Sequence, residues 1–380
     1  MVPVSYNIRN LIVRWKTTLM TASGFTLVVA AMIVMLAFVN GLKAVCTTSG
    51  ELENVIVLDD GASDEIYSRL DTRTVTVAES FEGVLRSSNR PLASRELFVP
   101  VIQPDASGGT RLLQARGVLA EAFSVHTQFK IVQGRRFEPS QSEVCIGHGV
   151  KRELGLALGD RLQLGRKEWT VVGVFESGGS SFEAEIWCDL NELAAHFRRQ
   201  GAFTSVVLRT TSPQAARSLA QGLAQTRKLA VEAKVERAYY EQQAEQTNVI
   251  LSGGLVIAAF MAIGAVFGVM NTMFAAIAHC TKDIAVMRML GFTRLHIMTS
   301  FLLEALMISA VGGVLGCAVG YAANGLTRST SIGNRSVEFA FQVDQPILLS
   351  AAAFALAMGL VGGILPALAA MRVRPLESLR

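Results

Sequence analysis

The chain has 380 residues, 51% of them hydrophobic, with a formal net charge of +4 and a mean hydropathy of +0.38. The apolar excess comes from four bilayer-length runs, and the rest has the composition of ordinary soluble domains. So small a basic excess reads as a signal of membrane topology and argues against a nucleic-acid partner.

Residues 1–18 read as a short amphipathic approach helix on the membrane surface, with Trp15 and Lys16 suited to the interface. Residues 19–39 hold no Lys or Arg and reach the roughly 20 residues that a hydrocarbon core of about 30 Å demands. The run is longer than the apolar stretch of a signal peptide, and no small-x-small cleavage site follows it, so a retained first span is expected.

Residues 40–247 are long enough for a core of their own. Strands are expected at 55–58, 97–102, 112–119, 144–147, 161–164, 168–175 and 205–209, with a turn at 105–109. A helix is expected to start over 64–70 with Ser63 as its cap, a short one over 149–154, and a longer one over 212–226 with Ser212 as cap and Pro213 at its first position. The class is therefore an α+β membrane protein: four transmembrane helices plus a large mixed α/β extracytoplasmic domain inserted between the first and second spans.

Residues 248–278, 297–326 and 346–371 supply the other three spans. Arg9, Arg14 and Lys16, then Lys282, Arg288 and Arg294, then Arg372, Arg374 and Arg380 flank these runs on one side. By the positive-inside rule that side is cytoplasmic, with both termini inside and residues 40–247 and 327–345 outside. Residues 372–380 form a cytoplasmic tail.

Between the second and third spans, residues 279–296 carry a short helix and its loop. Thr281 is a plausible cap, Asp283 in the first turn meets the positive end of the helix dipole, and Gly291 suits a left-handed position after the last turn. Ile284, Ala285, Val286, Met287, Met289 and Leu290 put apolar groups nearly all round it. One side can face the ends of the spans, and the other requires a partner groove.

Within the spans, Glu304 and Asn271 are polar, and Glu304 is expected to pair with Arg294 or with the short helix. Gly312, Gly316 and Gly320 form a small-residue face that serves dimerisation and internal packing equally well. Pro366 is expected to kink or end the fourth span. Cys46, Cys145, Cys188, Cys280 and Cys317 lack metal or redox spacing, and for Cys145 and Cys188 buried thiols are favoured over a disulfide. His126, His148 and His196 stand isolated, and Ser180 and Ser181 have neither a nucleophile elbow nor a paired base. No catalytic, metal or cofactor site is expected on this chain.

Several strings, in order, carry a resemblance. They are Gln133-Gly-Arg-Arg-Phe, Val144-Cys-Ile-Gly, Leu158-Gly-Asp, Thr170-Val-Val-Gly-Val-Phe and Val269-Met-Asn-Thr-Met, then Lys282-Asp-Ile-Ala-Val-Met-Arg-Met-Leu-Gly-Phe and Phe301-Leu-Leu-Glu-Ala, and the tail from Pro366. With one span, a large outer domain and then three spans, the chain resembles the FtsX-like permease family of ABC transporters, in its MacB-type (type VII) branch. Asp283 stands where that family usually has Glu, and Cys280 where a basic residue is common.

The resemblance implies an outer domain with an inserted subdomain at about 86–187 and a permease that forms a homodimer in the cell (inner) membrane. It also implies a cytoplasmic ABC ATPase dimer that binds ATP and Mg, docked through Thr281, Asp283, Ile284, Val286, Met287, Arg288, Leu290, Gly291 and Phe292. The activity implied is export or extrusion by mechanotransmission, with a periplasmic adaptor as a further partner and membrane lipid around the spans. The alternative is an FtsX-like signalling protein that controls a cell-wall hydrolase. The sequence has no G-x-x-x-x-G-K-[ST] string, so the phosphate-cradling loop is expected on a partner chain.

Overall fold

Four helices among the described residues are long and apolar enough to cross a bilayer: Trp15–Thr48, Ser252–Ala278, Arg294–Tyr321 and Gln345–Met371. Their lengths follow from long runs of helix-compatible apolar residues, in which charge is sparse. The computed structural model describes residues 4–104, 110–226, 229–245, 247–332 and 335–371. The turn expected at 105–109, the tail with Arg372, Arg374 and Arg380, and the side chain of Asp283 lie outside the described residues.

The chain divides into a membrane unit of Met1–Gly41, Asn248–Leu326 and Ala340–Arg380, and an outer unit of Leu42–Thr247 and Thr327–Phe339. The first helix is longer than the 19–39 run, because nothing between Trp15 and Thr48 breaks it. Pro366 does not end the fourth span, which continues to Met371.

In the membrane unit the third span packs closely on the first and fourth through glycine. A Cβ placed on Gly312 would stand 2.5 Å from the Phe25 Cβ, one on Gly316 2.7 Å from that of Val29, and one on Gly320 2.8 Å from that of Ile33. The three glycines thus form the seat of the first span, and internal packing is what this stripe does. Thr26 completes the seam by donating its hydroxyl to the Gly312 carbonyl, 3.2 Å away. Gly359 and Gly363 of the fourth span receive Ser309 and Ala305 of the third. The second span is the most exposed of the four, with 11% of its apolar window buried against 33–44% for the others.

The outer unit is built on one ten-stranded sheet. Its strands, numbered in chain order, are β1 (Asn54–Asp59), β2 (Ala93–Pro104), β3 (Thr110–Val118), β4 (Lys130–Gly134), β5 (Glu143–Gly147), β6 (Arg161–Leu164), β7 (Lys167–Glu176), β8 (Glu185–Asp189), β9 (Ser205–Arg209) and β10 (Val231–Val235). They lie in the order β10-β1-β9-β2-β3-β8-β5-β7-β4, with β6 paired to β7. The long β2 joins two halves: Ala93 to Glu96 pair with β9, and Leu97 onward pairs with β3.

Alternating side chains send one apolar set to each face of the sheet. Val55, Leu97, Trp169 and Cys188 enter one core cluster, whereas Ile56, Cys145, Phe175 and Trp187 enter another. Cys188 lies opposite Val144 in the β8–β5 ladder and Cys145 opposite Trp187, so the two thiols point to opposite faces and do not bond. Burial pushes the Cys145 thiol up to about 11 and that of Cys188 well above the usual range, which leaves both unreactive.

The helix Pro213–Gln225 is capped by Ser212, whose hydroxyl accepts from the Ala215 amide. The helix expected over 64–70 is instead a single turn, Glu65–Tyr67, followed by a two-residue strand and a new helix, Thr72–Glu79. Two aspartates explain the break: Asp64 caps the turn through the Ile66 amide, and Asp71 caps the next helix through that of Thr74. The segment Thr327–Phe339 joins this unit, where Arg152 binds Glu338. Residues 42–247 and this loop therefore share one body, as an alternating path through four spans requires.

Candidate functional site

The short helix after the second span is Thr281–Met289. Thr281 does not cap it. Cys280 holds the cap position but its side chain does not cap the helix, and the Thr281 hydroxyl donates back to the Ile277 and Ala278 carbonyls. At the other end Phe292 donates its amide to the Met287 carbonyl and Gly291 to that of Arg288, with Gly291 at φ +93°. That is a Schellman stop, in which glycine supplies the left-handed residue. Thr293 then caps the third span through the His296 amide.

This helix has two faces. Ile284 and Ala285 are fully buried, Ile284 within the core of the spans, and Met287 packs partly against that core. Val286, Met289 and Leu290 are 44%, 61% and 73% exposed. Their i, i+3, i+4 spacing puts them on one side of the helix. Arg288 and Phe292 are half-buried, and Gly291 is exposed. Of the residues expected to dock, Ile284 instead anchors the helix, and Val286 and Leu290 face outward.

Beside it, the N-terminal helix Val4–Val13 runs against the inner end of the third span. Asn7 accepts from the Ser300 hydroxyl at 2.6 Å, and the Asn10 amide reaches both carboxylate oxygens of Glu304 at 3.4 Å. Asn10, and neither Arg294 nor the short helix, is therefore the partner of Glu304. Arg14 donates to the Ala276 carbonyl at 3.1 Å and to the Cys280 sulfur at 3.0 Å, which pins the end of the second span where the short helix begins. The N-terminal segment thus supplies a partner to a buried carboxylate and a side-chain donor to the end of the second span.

The outer unit holds a second charged constellation. Arg116 on β3, 1% exposed, binds Glu185 at 2.6 Å, Glu65 at 2.8 Å and also Glu96, and all three carboxylates are equally buried. Phe98 and Phe182 lie 5.0 and 5.3 Å from its guanidinium carbon, and the Trp187 indole donates to Glu185. His126 sits 2.7 Å from the far side of Glu96 and 3.6 Å from Glu236. Glu236 in turn accepts from the Glu51 amide at 3.0 Å and the Asn54 side chain at 2.8 Å. Each cation here compensates carboxylates that could not otherwise be buried.

Burial disfavours a charged His126, yet the Glu96 carboxylate and then Glu236 hold the ring protonated, up to about 9. Burial raises the Glu236 carboxyl despite His126. For Glu96 burial works in the same direction, but Arg116 and His126 overcome it and lower the value.

Since the folded value of His126 lies above the ordinary 6.5, its contribution is complete below about pH 6.5 and is lost as pH rises through about 9. From the 1.36 kcal/mol that each pKa unit represents, about 3 kcal/mol of outer-unit stability should disappear across that window. Melting of the full chain in detergent between pH 6 and 9.5 checks this, and in His126→Gln the slope should flatten. An equal slope in the variant would assign the pH dependence elsewhere.

The sequence is matched by two family models: the MacB-like periplasmic core domain over residues 18–226 and the FtsX-like permease C-terminal over residues 255–375. Among curated relatives, an uncharacterized ABC transporter permease, YvrN of Bacillus subtilis, is 27% identical over 66% of this chain and 66% of its own length. The macrolide export ATP-binding/permease protein MacB of Hahella chejuensis is 23% identical over 92% of this chain and 57% of its own. The chain thus spans 57–66% of the length of these curated relatives. The solved periplasmic region of MacB from Actinobacillus actinomycetemcomitans aligns with 52% of this chain and 94% of its own, at 12% identity and a TM-score of 0.39. With four spans and both family models in chain order, this is a multi-pass membrane protein that belongs to the FtsX-like permeases carrying a MacB-like periplasmic core domain.

Proposed function

We propose that the chain is the permease subunit of an ABC transporter, in which a separate cytoplasmic ATPase dimer, binding ATP and Mg, drives movement of the outer domains and so exports or extrudes a substrate. Two copies of the chain stand side by side in the inner membrane with both termini in the cytoplasm, and a periplasmic adaptor is a partner on the outer side. The names of the relatives, an ABC transporter permease and a macrolide export protein, support this class of activity. The basic residues flanking the spans support the orientation.

The observation that carries the proposal is the two-faced helix Thr281–Met289. Its buried Ile284 fixes it to the spans, while Val286, Met289 and Leu290 offer an apolar strip to a groove on another protein. A push on that strip is a push on the spans. ATP binding favours one arrangement only by binding it more tightly than the other.

Leu290→Glu is expected to weaken co-purification with the ATPase by about thirtyfold or more, the effect of a central contact residue, and to abolish hydrolysis stimulated by the permease. Leu158→Glu, on an exposed outer-unit leucine, should change neither. Unaltered binding by Leu290→Glu would remove this helix as the docking element.

A further inference from the structure

The third and fourth spans, Arg294–Tyr321 and Gln345–Met371, pack directly on each other through Gly359 and Gly363. Helices so placed need a connection of only about 2–8 residues, and much longer ones usually serve a function. Here residues 322–344 join them.

The base of this connection belongs to the membrane unit. Its two legs are bonded to each other: Gly325 donates to the Phe341 carbonyl at 2.9 Å, Phe341 to that of Leu326 at 3.0 Å, and Val343 to the Asn324 side chain at 2.9 Å. The first span holds them too. Ala37 accepts from the Gln342 amide at 3.3 Å, and Asn40 donates to Asp344 at 2.6 Å. Legs tied to each other and to a neighbouring helix leave little slack.

The tip is a pair of strands, Thr327–Ile332 and Arg335–Ala340, and as far as Phe339 it belongs to the outer unit. Arg152, on the helix His148–Leu154 that follows β5, places Nε 2.8 Å from one Glu338 oxygen and Nη2 on the same atom. The other oxygen lies over Gly149, where a Cβ would overlap it, so the absence of a side chain admits the carboxylate. Arg152 is half-exposed, but the Glu338 side chain keeps only 14% of its exposure and the adjacent Phe339 is buried. This enclosure sets the pair apart from surface ion pairs that contribute little. The first long helix ends at the same place. Its Thr48 donates to the Gly179 carbonyl and its Ser49 accepts from the Ser181 amide, while the carbonyl of Glu183, in the turn Ser181–Ala184, lies 2.8 Å from where a Gly149 Cβ would stand.

We propose that the loop between the third and fourth spans is a strap, which carries their movement into the outer unit through the Glu338–Arg152 pair. The chain passes between the units at 41–42 and 247–248, at the ends of the first two spans, and otherwise only through this loop. A strap fixed at both ends lets the outer unit respond to the third and fourth spans as well. Its role rests on the proposed ATPase drive, and it biases the outer unit only as far as the pair holds in the favoured arrangement.

The test uses the full chain in nanodiscs with its ATPase, spin-labelled at Leu158→Cys in the outer unit and Leu349→Cys in the membrane unit, both exposed, and diluted with unlabelled copies. The distance between the labels is read by pulsed electron resonance with and without a non-hydrolysable ATP analogue. In the otherwise unaltered chain the analogue should shift this distance, and Glu338→Arg should lose most of the shift while still binding the ATPase and melting as before. Arg152→Glu combined with Glu338→Arg, which reverses the pair, should regain it. An undiminished shift in Glu338→Arg would overturn the strap alone, and so would a reversed pair that melts normally yet does not recover. A chain with the native pair that binds no ATPase would overturn the transporter reading and the strap with it.

Discussion

Arg116→Ala is expected to destabilise the outer unit by about 3–5 kcal/mol, the cost of removing one partner from a buried ion pair and leaving the other charges uncompensated. Three carboxylates, Glu65, Glu96 and Glu185, surround this guanidinium at 0–1% exposure. Without it the carboxylates keep weaker partners, among them His126 for Glu96, Ser205 for Glu65 and Trp187 for Glu185. Trp169 and Trp187 are both fully buried in this unit and report its unfolding by fluorescence. The comparison is Arg161→Ala, which removes an exposed pair with Glu168 and should leave the melting midpoint where it was. An Arg116→Ala protein that melts with the wild type would mean that the carboxylates take up protons and tolerate burial, contrary to the charge balance described.

Gly312→Val is expected to disrupt the membrane unit. Its Cβ would stand 2.5 Å from the Phe25 Cβ and 2.7 Å from the Ala22 carbonyl oxygen, and the latter belongs to a helix backbone that cannot turn aside. Overpacking of this kind costs about 1–3 kcal/mol or more when backbones must separate. Separation here also opens the contacts of Gly316 with Val29 and of Gly320 with Ile33. A lower thermal midpoint in fluorescence-detected size-exclusion chromatography, with loss of monodisperse protein, is the expected result. Gly253→Val, at an exposed position with nothing within 4 Å, is the matched control and should behave as wild type. If both variants survive equally, the first and third spans do not depend on this seam.

The parts of the fold carried by contiguous residues could be read from sequence. Each span is one uninterrupted apolar run, Ser212 and Pro213 announce their helix within two residues, and Gly291 marks its stop by the conformation that only glycine adopts cheaply. The family strings were legible for the same reason, and both family models cover them. What escaped depends on partners far apart in the chain. His126 looked isolated because Glu96 and Glu236 reach it from other elements of the outer unit, and Glu304 lacked a partner until the N-terminal helix brought Asn10 to it. A signal was present: Glu96 and Arg116 stand inside strands beside Phe98 and Val118 on the same face, and charged residues in such places are buried only when paired. In the segment over 64–70 the failure was local, since two aspartates seven residues apart each claimed a helix start.

Glu236 receives Glu51 and Asn54 from just beyond the first long helix, and it is itself the first residue of the helix Glu236–Glu245, which precedes the second. The two connections that bound residues 42–247 are thus tied to each other by one carboxylate. Equal and opposite pulls on these two connections would meet at that carboxylate and cancel before they reached the sheet.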